Sequence, residues 1–263
     1  MGSKFDLNDF IMHHIGDSYE WHIPLLPPIH LPGFLTVHML MLMIATAILF
    51  ILMLVIYRKQ DRVPTGITNF IEFVVVYIRD EIAIPNMGQE DGEKFTPFFC
   101  SFFFFILICN LMGLVPVFST ATANINLTAG LAFLIFTLMV GGTFVRGVMK
   151  GGVGGGFTGM WHALIPAGIP GWFVPIMFVI EVFLLFVRCV ALAMRLFANM
   201  IAGHIVITAF LGLCILFGVF AGILAFPMAV VFYCMEIFVC LLQAFIFVLL
   251  SAIFIGHMYH PKH

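Results

Sequence analysis

Val187–Thr208 reads VRCVALAMRLFANMIAGHIVIT. Its background is apolar and rich in helix formers, and it is long enough to cross the ~30 Å hydrocarbon core of a bilayer, which takes about 20 residues. Arg195 sits in its middle, Asn199 one helical turn on and His204 further along. A cation at the bilayer centre costs about 2.5–3.5 kcal/mol on insertion scales and more in simulation. It persists where it faces protein, water or a partner charge, so Arg195 marks an ion pathway. The bland reading, a snorkelling arginine near a helix end, fits poorly: Ala191–Met194 and Leu196–Ala198 offer no nearby interface.

The composition agrees with a membrane setting. Of 263 residues, 63% are hydrophobic and 9% charged, against about 25% charged in a soluble domain. The net charge of −2 argues against nucleic acid as a partner. The six cysteines (100, 109, 189, 214, 234 and 240) lie in apolar segments. Without metal-ligand spacing or disulfide clustering, they read as small apolar fillers. The polar, acidic start MGSKFDLNDF lacks the apolar core of a cleavable signal, so the first span is expected to direct insertion.

Residues 1–33 carry Pro24, Pro27, Pro28 and Pro32 and read as an extramembranous arm of short helical or irregular pieces. His13, His14, His22 and His30 read as surface histidines, with no metal expected. Residues 34–150 hold three spans and a surface helix. Phe34–Tyr57 is the first span; the cluster Arg58, Lys59, Asp61, Arg62 after it belongs on the cytoplasmic side by the positive-inside rule. That leaves the N-terminus outside. Residues 65–83 carry Glu72, Arg79, Asp80 and Glu81, too many for a span. Ile67, Phe70, Ile71, Val74, Val75, Ile78 and Ile82 recur at helical spacing, which predicts an amphipathic helix on the bilayer surface. Pro85, Asn86 and Gly88 are expected to end it, with GQEDGEK as a polar loop.

A transmembrane hairpin follows over 95–150: Phe95–Val115, an uncharged turn at Ser119–Thr128, and a return from Ala129, with Arg146 and Lys150 cytoplasmic. Asn110 reads as interhelical glue. The Gly-rich residues 151–171 lack the Gly-Lys-Ser/Thr of a phosphate loop and read as a flexible cytoplasmic loop. Residues 172–263 are almost unbroken apolar, enough for two to four crossings on hydropathy alone, with a break at Gly218–Pro227 and a cytoplasmic tail.

Between Phe173 and Ile255 the charged residues are Glu181, Arg188, Arg195 and Glu236. The first three are spaced by seven, close to two turns, and so share one helix face in steps of about 10 Å. Glu181 and Arg188 lie beyond the i,i+4 range of a direct helical pair and read either as inner-pathway residues or as separate interface anchors. If Gln243 lies level with Arg195 on the returning helix, Glu236 stands about 10 Å further out, at a depth similar to His204.

RLFANMIAGH, with EIFVCLLQAFIF downstream, closely resembles subunit a of the F-type ATP synthase, the stator half of its ion channel. The resemblance covers most of the chain and is strongest from Pro166 onward. It implies an all-α polytopic membrane protein with about five transmembrane helices and one amphipathic surface helix. The last two helices would be very long and strongly tilted. It implies a place in the cell inner membrane, N-terminus periplasmic and C-terminus cytoplasmic, against a rotor ring of subunit c and beside peripheral stalk subunit b. It implies no catalytic site and no cofactor in this subunit, and ion translocation by Arg195, His204, Glu236, Gln243, Asn199, Glu181 and Arg188. His204 and Glu236 would line an outer half-channel and Glu181 and Arg188 an inner one. Gln243 and Asn199 would orient the Arg195 guanidinium. Some members carry an acid at the His204 position and a histidine at the Glu236 position, as if the two sites work together. A secondary transporter would instead show inverted repeats and broken helices, and an intramembrane hydrolase a GxSxG or HExxH motif; neither pattern occurs in the sequence.

Overall fold

The computed structural model describes residues 20–21, 29–30, 32, 36–58, 66–115, 124–165 and 172–259. Most of the N-terminal arm, the cluster at 59–62, residues 116–123, the lead-in 166–171 and the tail from 260 lie outside the described residues. In the arm, β1 (Glu20–Trp21) pairs antiparallel with β2 (Ile29–His30), Glu20 facing His30. The sequence favoured helical or irregular pieces here.

The rest is helical: α1 (Val37–Arg58), α2 (Ile67–Tyr77), a π-helical turn (Ile78–Ala83), α3 (Ile84–Met87), α4 (Gln89–Leu114), α5 (Ile125–Leu164) and α6 (Val174–Tyr259). Five stretches are long and apolar enough to cross a bilayer: Val37–Leu54, Gln89–Leu114, Ile125–Met149, Val174–Gly203 and Phe226–His257. This is an all-α, multi-pass membrane protein. The last two stretches have 30 and 32 residues; at about 1.5 Å per residue each is longer than the ~30 Å core, an excess that a bilayer accommodates by tilt or projection.

The contacts divide the chain into two compact units, each assembled from three separate segments. The first comprises Met1–Val55, Phe104–Thr128 and Arg195–Ala244; the second comprises Ile56–Phe103, Ala129–Met194 and Phe245–His263.

In the first unit, Val37, Met41 and Ala45 form an i, i+4, i+8 stripe on α1 and pack on Cys109 and Met112 of α4. The other face, with Met43 and Phe50, is exposed. A second cluster joins Leu114, Met200 and Cys240. Met200 and Cys240 both belong to α6, and a straight helix would hold them about 60 Å apart. The helical run therefore doubles back on itself, and Val174–Gly203 and Phe226–His257 are its two arms.

In the second unit, α2 and the π turn bury Ile71, Ile78 and Ile82 against the chain itself. Phe70 and Phe73 face outward, and Glu72, Arg79, Asp80 and Glu81 are all exposed. Arg79 donates to Asp80 at 2.7 Å, a hydrogen bond that holds the Asp80 carboxyl below its ordinary range. The polar stretch read as a loop is helical instead. Pro85 and Asn86 lie within α3, and Gln89–Lys94 forms the first turns of α4. Glu90 and Asp91 stand in the first turn of α4, where the helix dipole favours acids. Lys94 bonds Glu90 at 2.8 Å with i,i+4 spacing. Only Gly88, at φ 80, interrupts the run.

The described part of the Gly-rich segment, 151–165, is also mostly helix rather than loop. α5 continues to Leu164, broken only at Gly151 and Gly152, the latter at φ 67, a conformation that glycine adopts without steric cost. The chain folds back there into two helical arms. Their backbones meet: a Cβ on Gly155 would stand 2.5 Å from the Gly147 carbonyl oxygen, and one on Gly147 would stand 2.8 Å from Gly156 Cα. Phe144 and Phe157 close the contact edge to face at 5.4 Å. Small residues are what membrane helices use for such close approach. Counting glycines as flexibility missed that they are the contact surface.

The same geometry separates two substitutions. Gly155→Val should destabilise the chain by about 1–3 kcal/mol, the usual cost of overpacking. Gly154→Ala, with open space around it, should be neutral or stabilise by about 0.4–1 kcal/mol. Thermal unfolding of the detergent-solubilised chain would measure both; equal effects would contradict the backbone crossing.

Candidate functional site

The hairpin of α6 carries all seven candidate residues. In the first unit, Leu196 and Met200 are buried on one stripe of the outgoing arm, and Arg195 lies off that stripe, exposed. Among the described residues Arg195 has no hydrogen-bond or ion-pair partner. Asn199, one turn on, is half-buried and lines a groove of about 160 Å³ between the two arms. Ala202 and Gly203 form the floor of the groove, and Phe232, Met235 and Glu236 line it from the returning arm.

Glu236 is buried at 7% exposure, with both carboxyl oxygens lacking a hydrogen-bond partner among the described residues. Its carboxyl group lies directly on Gly203, where a Cβ would overlap it. Gly203 precedes His204, so the two candidate proton carriers are brought to adjacent levels of the hairpin. The His204 side chain lies outside the described residues. The contact also fixes the register of the arms. Eight residues back from Gly203 is Arg195, and eight on from Glu236 is Ala244, the neighbour of Gln243. Gln243 is buried at 5% exposure, and its Nε2 has no hydrogen-bond partner among the described residues.

In the second unit, Glu181 is buried and Arg188 is half-buried. The sequence reading treated these two as out of reach of each other; the structure corrects this. Arg188 Nη1 stands 3.5 Å from Glu181 Oε1. Two turns separate them, but helical side chains lean toward the N-terminus, so the long arginine extends back over the intervening turns. Its guanidinium carbon also sits 5.7 Å from the centre of the Phe254 ring, within cation–π range.

Sequence reasoning missed one polar contact. Tyr233 donates its hydroxyl proton to the Leu114 carbonyl oxygen at 3.2 Å. That carbonyl is among the last of α4, which have no partner inside their own helix. A tyrosine one turn before Glu236 was the available signal. Asn110, read as glue, is buried at 1% exposure, and its Oδ1 lacks a partner among the described residues. Cys109 and Cys240 are buried and fill core clusters, and the described cysteines are free.

Buried carboxyl and amide groups and an exposed arginine stand on a hairpin of apolar spans, the arrangement of a multi-pass membrane protein with polar groups inside its spans. A profile of the family described as ATP synthase A chain matches residues 39–256. The chain belongs to that family. It is 45% identical over 222 residues to an ATP synthase subunit a from Anaeromyxobacter sp. (strain Fw109-5), covering 84% of this chain and 53% of the relative. The subunit a of Myxococcus xanthus is 38% identical, with 92% of this chain and 84% of the relative covered. That of Chloroherpeton thalassium is 42% identical, with 93% and 75% covered. The chain thus spans about half the length of the Anaeromyxobacter relative and most of the other two.

The ion pair yields a test within this site. Arg188→Ala leaves the Glu181 carboxylate buried without a cation, a loss of about 1–3 kcal/mol. Glu181→Ala in the same chain should recover most of it. A double variant as unstable as the sum of the two single ones, in thermal unfolding, would show that the 3.5 Å approach carries no coupling.

Proposed function

We propose that this chain is the ion-translocating stator subunit of an F-type ATP synthase. It would sit in the cell inner membrane, N-terminus periplasmic and C-terminus cytoplasmic, against a rotor ring of subunit c and beside subunit b of the peripheral stalk. The observation that carries this reading is Arg195, an exposed guanidinium within an apolar span, without a partner among the described residues. Desolvated charge needs a counter-charge, and the described residues supply none to Arg195. A passing ring carboxylate supplies it.

The mechanism follows from charge and proton balance. A ring carboxyl can enter lipid only when protonated, because an unpaired carboxylate there is very costly. At the interface, the guanidinium favours the ionised carboxyl, so the proton leaves. It also repels a proton crossing straight from one half-channel to the other. Guanidinium suits the task better than ammonium, which gives up its proton readily when buried. Glu236, unpartnered in its groove beside the His204 level, would pass protons in from the outside with His204. Glu181 and Arg188 would line the exit on the inner side, and Asn199 and Gln243 would orient Arg195. The membrane potential contributes about 2.3 kcal/mol per proton per 100 mV, and ring rotation carries it to the catalytic head, where ATP is made.

Arg195→Ala in an assembled complex should bring ATP synthesis to background and leave a passive proton leak. ATP-driven acidification of inverted vesicles measures the coupling; near-normal pumping would overturn the proposal. His204→Ala should slow proton entry, most at alkaline pH, where protons are scarce and a titratable relay matters most. Synthesis rate against external pH reads this, and a profile superimposable on the parent's would remove His204 from the path.

A further inference from the structure

We propose that Gly203 is a positioning residue for the Glu236 carboxyl: its missing side chain is the seat that holds that group in the groove. The glycines in the helices are distinguished by what they touch. For Gly147, the three nearest atoms to an added Cβ are backbone atoms of a crossing helix, and for Gly155 they are all backbone of the same crossing. Gly256 likewise approaches the Asn86 backbone. Those glycines serve helix crossings. Gly142 and Gly156 face side chains, of Tyr259 and of Phe144 and Val148, and Gly203 faces an acidic one: its three nearest atoms are Oε1, Cδ and Oε2 of Glu236.

Nothing else among the described residues fixes that carboxyl. Neither oxygen has a hydrogen-bond partner there, so shape sets its position. Ala202 and Gly203 make the floor, and Phe232 and Met235 flank the carboxylate on its own arm. A methyl group on the floor would drive the carboxyl along the groove or out of it. Glycine is disfavoured in a helix interior relative to alanine, so its presence here calls for a reason, and the carboxyl provides one. The functional weight of this inference rests on the reading of Glu236 as a proton carrier. A displacement on the order of 1 Å at a reacting group can cost about a hundredfold in rate.

The test is a double-mutant cycle in the whole complex. Gly203→Ala should lower ATP-driven proton pumping about tenfold or more. Adding Glu236→Asp, shorter by one methylene, should make the combined loss smaller than the product of the two single losses. Independently of activity, Gly203→Ala should lower the melting temperature of the purified complex in the parent background and leave it unchanged in Glu236→Ala. A Gly203→Ala variant that assembles only when Glu236 is also truncated supports the seat as well. Pumping within about twofold of the parent, or equal melting shifts in both backgrounds, overturns it. Glu236→Gln separates this inference from the reading beneath it. If that variant pumps normally, the proton-carrier role fails, and the melting comparison still decides whether Gly203 seats the side chain.

Discussion

The contact of the Glu236 carboxyl with Gly203 fixes more than its own position. Antiparallel helices have one free parameter along their length, and a single close contact removes it. Once these two residues face each other, Met200 must face the neighbourhood of Cys240, as it does, and Arg195 must come level with the end of the Gln243 turn. A slip of one residue would rotate each arm's facing surface by about 100° and lift the carboxyl off its seat. The Glu236 carboxyl is therefore ordered by a steric fit rather than by a hydrogen bond among the described residues.

That arrangement leaves buried polar atoms without a hydrogen-bond partner among the described residues. Glu236, Gln243 and Asn110 each present such atoms, whereas most buried polar groups in folded proteins are paired. Thr96, Thr143 and Ser251 show the ordinary solution, returning their hydroxyl protons to carbonyl oxygens one turn back. Side chains that cannot bond their own helix remain available to water, to a mobile proton or to another subunit. In the second unit, Glu181 is paired with Arg188 by charge alone: the 3.5 Å approach leaves its buried Oε1 without a hydrogen bond among the described residues.

Much of the fold was legible because hydrocarbon imposes a simple length and polarity test. The spans and the amphipathic stretch 65–83 follow from it, whereas hydropathy alone left two to four crossings open in the final segment and the family resemblance implied two. The polar positions were legible for the same reason, since any charge in such a background stands out. What escaped were features decided by packing. Gly155, in a stretch that looked like slack, is a contact surface packed on the backbone of Gly147. Gln89–Lys94 looked like a loop because it is polar, yet its acids sit where a helix start favours them. Glu181 and Arg188 were separated by counting Cα positions and joined by the lean and length of an arginine. The groove beside Glu236 depends on which arm faces which, a fact that no single segment contains.

The π turn at Ile78–Ala83 has a consequence for how this region can vary. A π turn accommodates one residue more than an α turn, so it works as a phase adjuster between the stretch before it and the stretch after. Ile71 upstream and Met87 downstream are both buried, although an uninterrupted α-helix would rotate the sixteen intervening steps through about 1,600°, away from a common direction. Loss of one residue from the turn would leave a perfectly regular helix, and that regularity would aim one end or the other the wrong way.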